Sequence, residues 1–408
     1  MIRAFFRVPF FLFSFCFFFV ACQTVSEQNA QASPALSPPD NGYSTVKLGF
    51  ADTSSEEGQM LIRRLDSFYR REVGAGFNGS VLVGYKGKIL YERYLGFCNR
   101  ATGTQLCAQN PSQLASTSKP FTATAILWLY QNKYLDINQP VQKYLKDFPY
   151  PDITVAMMLS QRSGLPDYTK MGNRYWKSDA PMYNEDLLQI FARYQPHLNS
   201  KPNTRFEYSN TNFAMLARLI EEVAKMPYKQ FMKEFIFEPL GMKHTFVYDP
   251  SERSRYNDII TQSYQYNWSV YKETNEDGVY GDKGIYSTVE DMYRWDQSFY
   301  NHTLLNEKTL RMAYTGYSNE RAGIKNYGYG WRMLNFPDGY KIIYHNGWWH
   351  GNNTVFYRFV KDNFTIIVLG NKYNSKIYGH AKSIYGIVKN TSEHANIEWE
   401  ESGSPKEE

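Results

Sequence analysis

The sequence predicts an α/β (α+β) protein in which one antiparallel sheet, built from both chain ends, is flanked by helices and carries an inserted, mostly helical lobe. Three observations predict it. Two apolar-rich runs near the N-terminus, Phe77 to Tyr85 and Lys88 to Leu95, are joined through Lys86-Gly87, a hairpin signal. Strand-like runs then return only late, at Tyr329 to Leu334, Tyr340 to Tyr344, Thr354 to Val360 and Phe364 to Leu369. Helical spacing frames the set, with Met60, Leu61, Leu65 and Phe68 before the first strand and about Ile377 to Val388 after the last. Between the two groups the chain is helical and loop-like, rich in Pro, Gly and turn residues. A single sheet made from both ends and covered by the terminal helices buries these strands most simply. Both termini then belong to one domain, expected over residues 57–390.

The flanking segments read differently. Arg3 and Arg7 precede an apolar stretch from Val8 to Val20 and a small Ala21, the three-part form of an export signal over residues 1–22. The apolar stretch falls short of the about 20 residues that a permanent membrane-spanning helix needs. It ends in Phe19-Val20-Ala21-Cys22, which resembles a bacterial lipobox and makes Cys22 the expected lipid-carrying residue. Ordinary cleavage after Ala21 is the alternative. An exported protein of the periplasm or cell envelope, held to a membrane by its lipid, is therefore expected. Residues 23–56, with Pro34, Pro38 and Pro39 among Ser, Asn and Gln, read as a flexible tether. Residues 391–408 read as a polar, acidic tail.

Composition narrows the function classes. The 408 residues are 43% hydrophobic and 21% charged, ordinary values for a globular chain with a core. The formal net charge of +5 is small for the length, and no concentrated basic face points to nucleic acid. Of the four cysteines, Cys16 leaves with the signal and Cys22 is the anchor. Cys98 and Cys107 flank a stretch whose Thr102-Gly103-Thr104 centre reads as a turn, so a disulfide between them is expected in an oxidising compartment, with two free thiols as the alternative. The seven histidines show no metal-ligand spacing, and neither metal nor cofactor is expected.

A serine becomes nucleophilic beside a base, and a lysine three residues on along a helix lies on the same face. Ser116-Thr117-Ser118-Lys119 has that spacing, as do Ser44 to Lys47 and Ser269 to Lys272. Only Ser116 is followed by a long apolar helical run, Phe121 to Tyr130. At a helix start the free backbone amides favour an alkoxide and a developing oxyanion. The plain alternative is a helix cap. Acyl transfer also needs a proton shuttle to the leaving group, and Tyr208-Ser209-Asn210 supplies a phenol at the head of an amphipathic run. A second Tyr-Ser-Asn, at Tyr317 to Asn319, runs into a polar loop. His345-Asn346-Gly347 follows a predicted strand, where Gly347 admits close backbone approach and the next amide, that of Trp348, suits an oxyanion donor.

The order S-x-x-K, Y-x-N and a late strand ending in a basic or polar residue plus Gly resembles the β-lactamase-related serine hydrolases. That group holds class C β-lactamases, D-Ala-D-Ala carboxypeptidases, D-aminopeptidases and esterases. Met158 to Tyr168, Glu238 to Met242, Gly284 to Thr288 and Tyr327 to Trp331 also look like family segments, so the likeness covers about Asn78 to Asn371. The resemblance implies the β-lactamase/penicillin-binding transpeptidase-like fold, with Ser116 attacking a carbonyl, Lys119 taking its proton and Tyr208 relaying one to the leaving group. It implies that Asn210 binds the substrate amide or orients Lys119, and that the Ser116 and Trp348 amides form the oxyanion hole. Two departures stand out: Pro202-Asn203 replaces Pro-Gly before the tyrosine motif, and His345 replaces a lysine.

The partner expected is a small-molecule or peptide substrate: a D-amino-acid peptide, an amide or a small ester. A true β-lactamase and a penicillin-recognising sensor that acylates without turnover are the alternatives, and an adhesin using the abundant aromatic residues is a third. Because an ordinary histidine is mostly neutral at pH 7.5, neutral esters or amides are expected to be preferred over β-lactams. Carboxylate-bearing substrates are expected to gain as the pH falls toward 6 and His345 charges.

Overall fold

The computed structural model describes residues 46–171 and 174–389, with Met1 and Leu36 as single further positions. Cys16, Cys22, the rest of the export signal, the tether up to residue 45 and the tail from 391 lie outside the described residues. All that follows concerns the compact unit Leu36–Glu408. No helix among the described residues is long and apolar enough to cross a membrane.

The main sheet has eight strands. The N-terminal part of the chain supplies β1 (Gly49–Phe50), β2 (Gly79–Tyr85) and β3 (Lys88–Leu95). Next come a small hairpin, β4 (Phe97–Asn99) and β5 (Thr104–Gln105), and a three-stranded patch of β6 (Ser112–Gln113), β7 (Phe246–Val247) and β8 (Ile285–Ser287). The C-terminal part adds β9 (Lys325–Tyr327), β10 (Arg332–Asn335), β11 (Lys341–Trp349), β12 (Asn352–Phe359) and β13 (Phe364–Gly370). The order β1-β3-β2-β13-β12-β11-β10-β9 joins both chain parts through the β2/β13 pair, and every pairing is antiparallel except β1 with β3. Lys86 and Gly87 both have positive φ, +49° and +79°, the two-residue turn whose twist suits a hairpin. β1 falls inside the stretch expected to be a flexible tether. That stretch is ordered from Val46 onward, because β1 pairs with β3 and the Val46 carbonyl accepts from Arg294 Nη1 at 2.6 Å.

Side-chain alternation builds two cores. Val81, Val83, Val355, Tyr357, Ile366 and Val368 face α1 (Glu56–Gly74) and the C-terminal helix His380–Lys389. Leu82, Phe356, Ile367 and Leu369, one residue out of step, face the larger core under the helical lobe. The lobe consists of α2 (Ser118–Gln131), α3 (Val155–Leu159), α4 (Asn184–Tyr194), α5 (Asn210–Ala224), α6 (Tyr228–Phe231), α7 (Val289–Ser298) and α8 (Glu307–Ala313); His380–Lys389 is α9. α2 is apolar nearly all round and is buried from Ser118 to Leu129, as the centre of a lobe requires.

The expected Cys98–Cys107 disulfide is corrected: both are free thiols. The hairpin pairs Phe97 with Gln105 and Asn99 with Thr104, so Cys107 lies beyond the paired residues and not opposite Cys98. Cys98 turns inward, 3.5 Å from the Ile260 carbonyl, and burial pushes its thiol up to about 11. Cys107 is exposed, its Sγ donating to Asn110 Oδ1 at 3.1 Å.

α7 is tied to the sheet by a buried ion pair, Arg358 Nε with Asp296 Oδ1, and Asp296 Oδ2 also accepts from Thr365 Oγ1 at 2.8 Å. Removing one partner strands the other charge in the core. Asp296→Ala is therefore expected to lower stability by about 3–5 kcal/mol, read as a fall in the urea unfolding midpoint; an unchanged midpoint would show the pair to be dispensable.

Candidate active site

Ser116 sits in a single 3-10 turn, Ala115–Thr117, that leads directly into α2. Ala115 has φ +50°, costly for a residue with a Cβ, so the turn that carries Ser116 is strained. Lys119, one turn on, is fully buried. Its ammonium donates to Ser116 Oγ at 3.0 Å, Asn210 Oδ1 at 2.6 Å and the Asp282 carbonyl at 3.0 Å. Burial pushes Lys119 down to about 8, opposed by the Asp282 and Asp167 carboxylates and aided by Arg332. A lysine so placed is a competent base near neutral pH.

Tyr208 lies two residues ahead of α5, beside Ser116 and with Lys119 Nζ 5.0 Å from its ring centroid. Burial raises its pKa well above the ordinary value, against the lowering by Arg332 and Ser116. Burial thus favours a neutral phenol at Tyr208, a proton donor, and leaves Lys119 the better base. Asn210 spends its side chain on orientation, Oδ1 on Lys119 and Nδ2 on Asp167 Oδ2 at 2.9 Å.

The Met158 to Tyr168 loop is the scaffold beneath this motif. Gln161 Oε1 accepts from the Ser209 amide at 3.0 Å and from Asn212 Nδ2 at 2.6 Å, and the Gln161 carbonyl accepts from the Glu207 amide at 2.8 Å. Asn203, in place of the usual glycine, has φ +62°, so the left-handed conformation that Asn tolerates is the one used.

His345 and Gly347 come from β11 on the opposite side. The Thr117 hydroxyl donates to the His345 carbonyl at 3.2 Å, fastening the nucleophile turn to the strand. A Cβ on Gly347 would lie 2.3 Å from the Leu114 carbonyl oxygen and 3.1 Å from the Ser116 amide nitrogen. Gly347 thus makes room for the nucleophile turn itself. Trp348, next along, is 39% exposed, its indole donating to the His350 carbonyl at 2.9 Å, while Trp349 donates to Asp277 Oδ1 at 2.6 Å.

The His345 ring is 1% exposed. Burial, then Arg332 and Lys119, hold its pKa well below the usual value. Against the expectation that it charges between pH 7.5 and 6, burial and the two cations favour the neutral imidazole. The permanent cation beside Tyr208 is instead Arg332, whose guanidinium carbon is 5.2 Å from that ring centroid. It follows directly on Tyr327 to Trp331, a segment legible in the sequence, yet nothing in the pattern there marks the next residue as part of the site. The decoys fall elsewhere: Ser269 and Asn319 are exposed, and Ser44 lies outside the described residues.

Comparisons with known proteins bear on the family and the fold. A family profile described as Beta-lactamase matches residues 68–382. Penicillin-binding protein 4* of Bacillus subtilis (strain 168) is 31% identical over 319 residues, covering 75% of this chain and 70% of the relative. The D-amino acid amidase of Ochrobactrum anthropi SV3 shares the fold with a TM-score of 0.66 at 19% identity, covering 82% of this chain and 99% of that one. EstCE1, described as a hydrolase with promiscuous acyltransferase activity, superposes with a TM-score of 0.69 at 17% identity, covering 82% of this chain and 100% of its own.

The crowding at Gly347 generates a test. Gly347→Ala should displace the Ser116 turn and slow phosphonylation of Ser116 by a fluorophosphonate about 100-fold, the scale of a 1 Å misplacement, with the circular dichroism of the folded protein retained. Wild-type labelling kinetics in the variant would show the contact to be slack.

Proposed function

The chain belongs to the β-lactamase family, and from that premise we propose that it is a serine hydrolase forming an acyl-enzyme at Ser116 on an ester or amide, with D-amino-acid peptides, amides and small esters as its substrate class. The observation that carries this reading is the 3.0 Å contact between Lys119 Nζ and Ser116 Oγ, made by a lysine that burial has brought to about 8.

In this mechanism Ser116 Oγ adds to the substrate carbonyl carbon as its proton passes to Lys119 Nζ. The oxyanion is held by the backbone amides of Ser116 and Trp348. The bond to the leaving group breaks as Tyr208, a neutral phenol, gives that group its proton and regains one from the Lys119 ammonium. Water then enters, loses a proton by the same route in reverse, and releases the acid and free Ser116.

Purified protein lacking the first 22 residues tests the assignment. A fluorophosphonate is expected to label Ser116, with labelling abolished in Ser116→Ala, and simple esters should be hydrolysed over many turnovers at a rate that falls by roughly 10⁴-fold or more in that variant. Labelling at another serine refutes the nucleophile; a single acylation without turnover favours the sensor reading.

The neutral His345 sets a second expectation. Lys119 titrates identically whichever substrate is present, so it cancels from a ratio of kcat/KM values. With His345 uncharged and Arg332 permanently charged, the ratio between a carboxylate-bearing β-lactam and a neutral ester should be flat from pH 7.5 to pH 6. A gain for the β-lactam on acidification would mean that the imidazole takes a proton after all.

A further inference from the structure

Beneath Lys119 lies a second buried lysine that the mechanism above does not use. The Lys283 side chain is 3% exposed and Asp282 1%. Lys283 Nζ donates to the Tyr168 hydroxyl and to the Val279 carbonyl at 3.2 Å, and lies between two rings, 5.1 Å from the Tyr168 centroid and 4.8 Å from that of Trp349. Tyr168 donates in turn to Asp282 Oδ2 at 3.0 Å, and Lys283 Nζ stands 3.7 Å from the same oxygen. Asp282 is the residue whose carbonyl accepts from Lys119. One residue therefore links both lysines, by its main chain to the first and by its carboxylate to the second.

We propose that Lys283 is a positioning residue of the catalytic centre: its ammonium, bridged by Tyr168, fixes the Asp282 carboxylate and offsets its charge, while the Asp282 carbonyl orients Lys119 toward Ser116. The inference rests on the reading of Ser116 and Lys119 as nucleophile and base. The charges that surround Lys119 support it. Asp282 approaches from the turn before β8, Asp167 from the loop after α3, and Arg332 from β10. His345 of β11 is neutral and Tyr208 is an un-ionised phenol. Beyond Lys283, Glu276 is half-buried, and Asp277 is occupied by Trp349 and His350. Lys283 and Arg332 are set against Asp282 and Asp167, with burial raising the Asp167 carboxyl and pushing Glu276, beyond Lys283, up to about 7. Deleting the Lys283 charge leaves Asp282 without its cation and the surroundings more negative, so that Lys119 keeps its proton to higher pH.

The sign is then fixed. Phosphonylation of Ser116 needs uncharged Lys119, so its rate rises with pH along an acid limb. Lys283→Met is expected to move that limb upward by about one unit, which is an about tenfold slower reaction on the limb, while the rate at pH 10 returns to within a few-fold of wild type. Asp282→Asn should move it downward, and the double variant, a neutral pair, should bring it back toward wild type. Should Lys283→Met not fold, Asp282→Asn and the double variant differ by the same charge and carry the same comparison. An unmoved limb, or a loss equal at every pH, overturns the proposal. Labelling of wild-type Ser116 without a limb that responds to Lys283 defeats this inference alone; absence of Ser116 labelling defeats the function on which it rests.

Discussion

A buried ammonium at Lys119 is the constraint around which the site is organised. A charged group with no access to water must find an acceptor for each of its protons or give one up. The fold supplies three acceptors from three separate segments: Ser116 from the turn before α2, Asn210 from the start of α5 and the Asp282 carbonyl from the turn before β8. None of these is a carboxylate. The ammonium is fully hydrogen-bonded, but its burial away from water outweighs the nearby Asp282 and Asp167 carboxylates and makes it willing to lose a proton. Had Asp282 turned its side chain and not its main chain toward Lys119, the lysine would be a salt-bridge partner and a poor base.

The strands contribute a second constraint, that of backbone against backbone. β11 reaches the nucleophile turn closely enough that the Thr117 hydroxyl meets the His345 carbonyl and Gly347 faces the Leu114 carbonyl and the Ser116 amide. Ala115 accepts a left-handed backbone on the other side of the same contact. Strain of this kind persists only where the surrounding structure over-determines it, and here the antiparallel pairing of β11 with β12 along its whole length holds one wall while buried α2 holds the other.

Much of this was legible in the sequence, because the signals are local. The Lys86-Gly87 hairpin, the late strands, both terminal helices and the apolar run of α2 each carry their own periodicity or turn chemistry, and each forms near the predicted bounds, except that β11 runs on past Tyr344 to Trp349 and takes in His345 and Gly347, which were expected after the strand. Elements without such a signal were missed: β1 is two residues long and exists only through its pairing with β3, and β9 is an edge of three. The disulfide failed for a related reason. Spacing across a turn says nothing of register, and the observed register leaves Cys107 past the paired residues. In the site, the motif residues come together, whereas Arg332 and Asp282-Lys283 lie outside every family-like segment that the sequence marks, and Asp167, although inside Met158 to Tyr168, carries no signal of its own. Their importance arises from burial beside Lys119, a property of the folded chain alone.

Those four charged residues also bear on His345, which stands where a lysine was expected. Near Lys119 two cations, Lys283 and Arg332, are set against the carboxylates Asp282 and Asp167. A third permanent cation, on the strand that carries His345, would be buried with no carboxylate left to meet it, and charges in such surroundings are removed by losing a proton or by not being placed there. The imidazole takes the second course. Its Nε2 is buried without a hydrogen-bond partner among the described residues, and Arg332 and Lys119 both oppose its protonation.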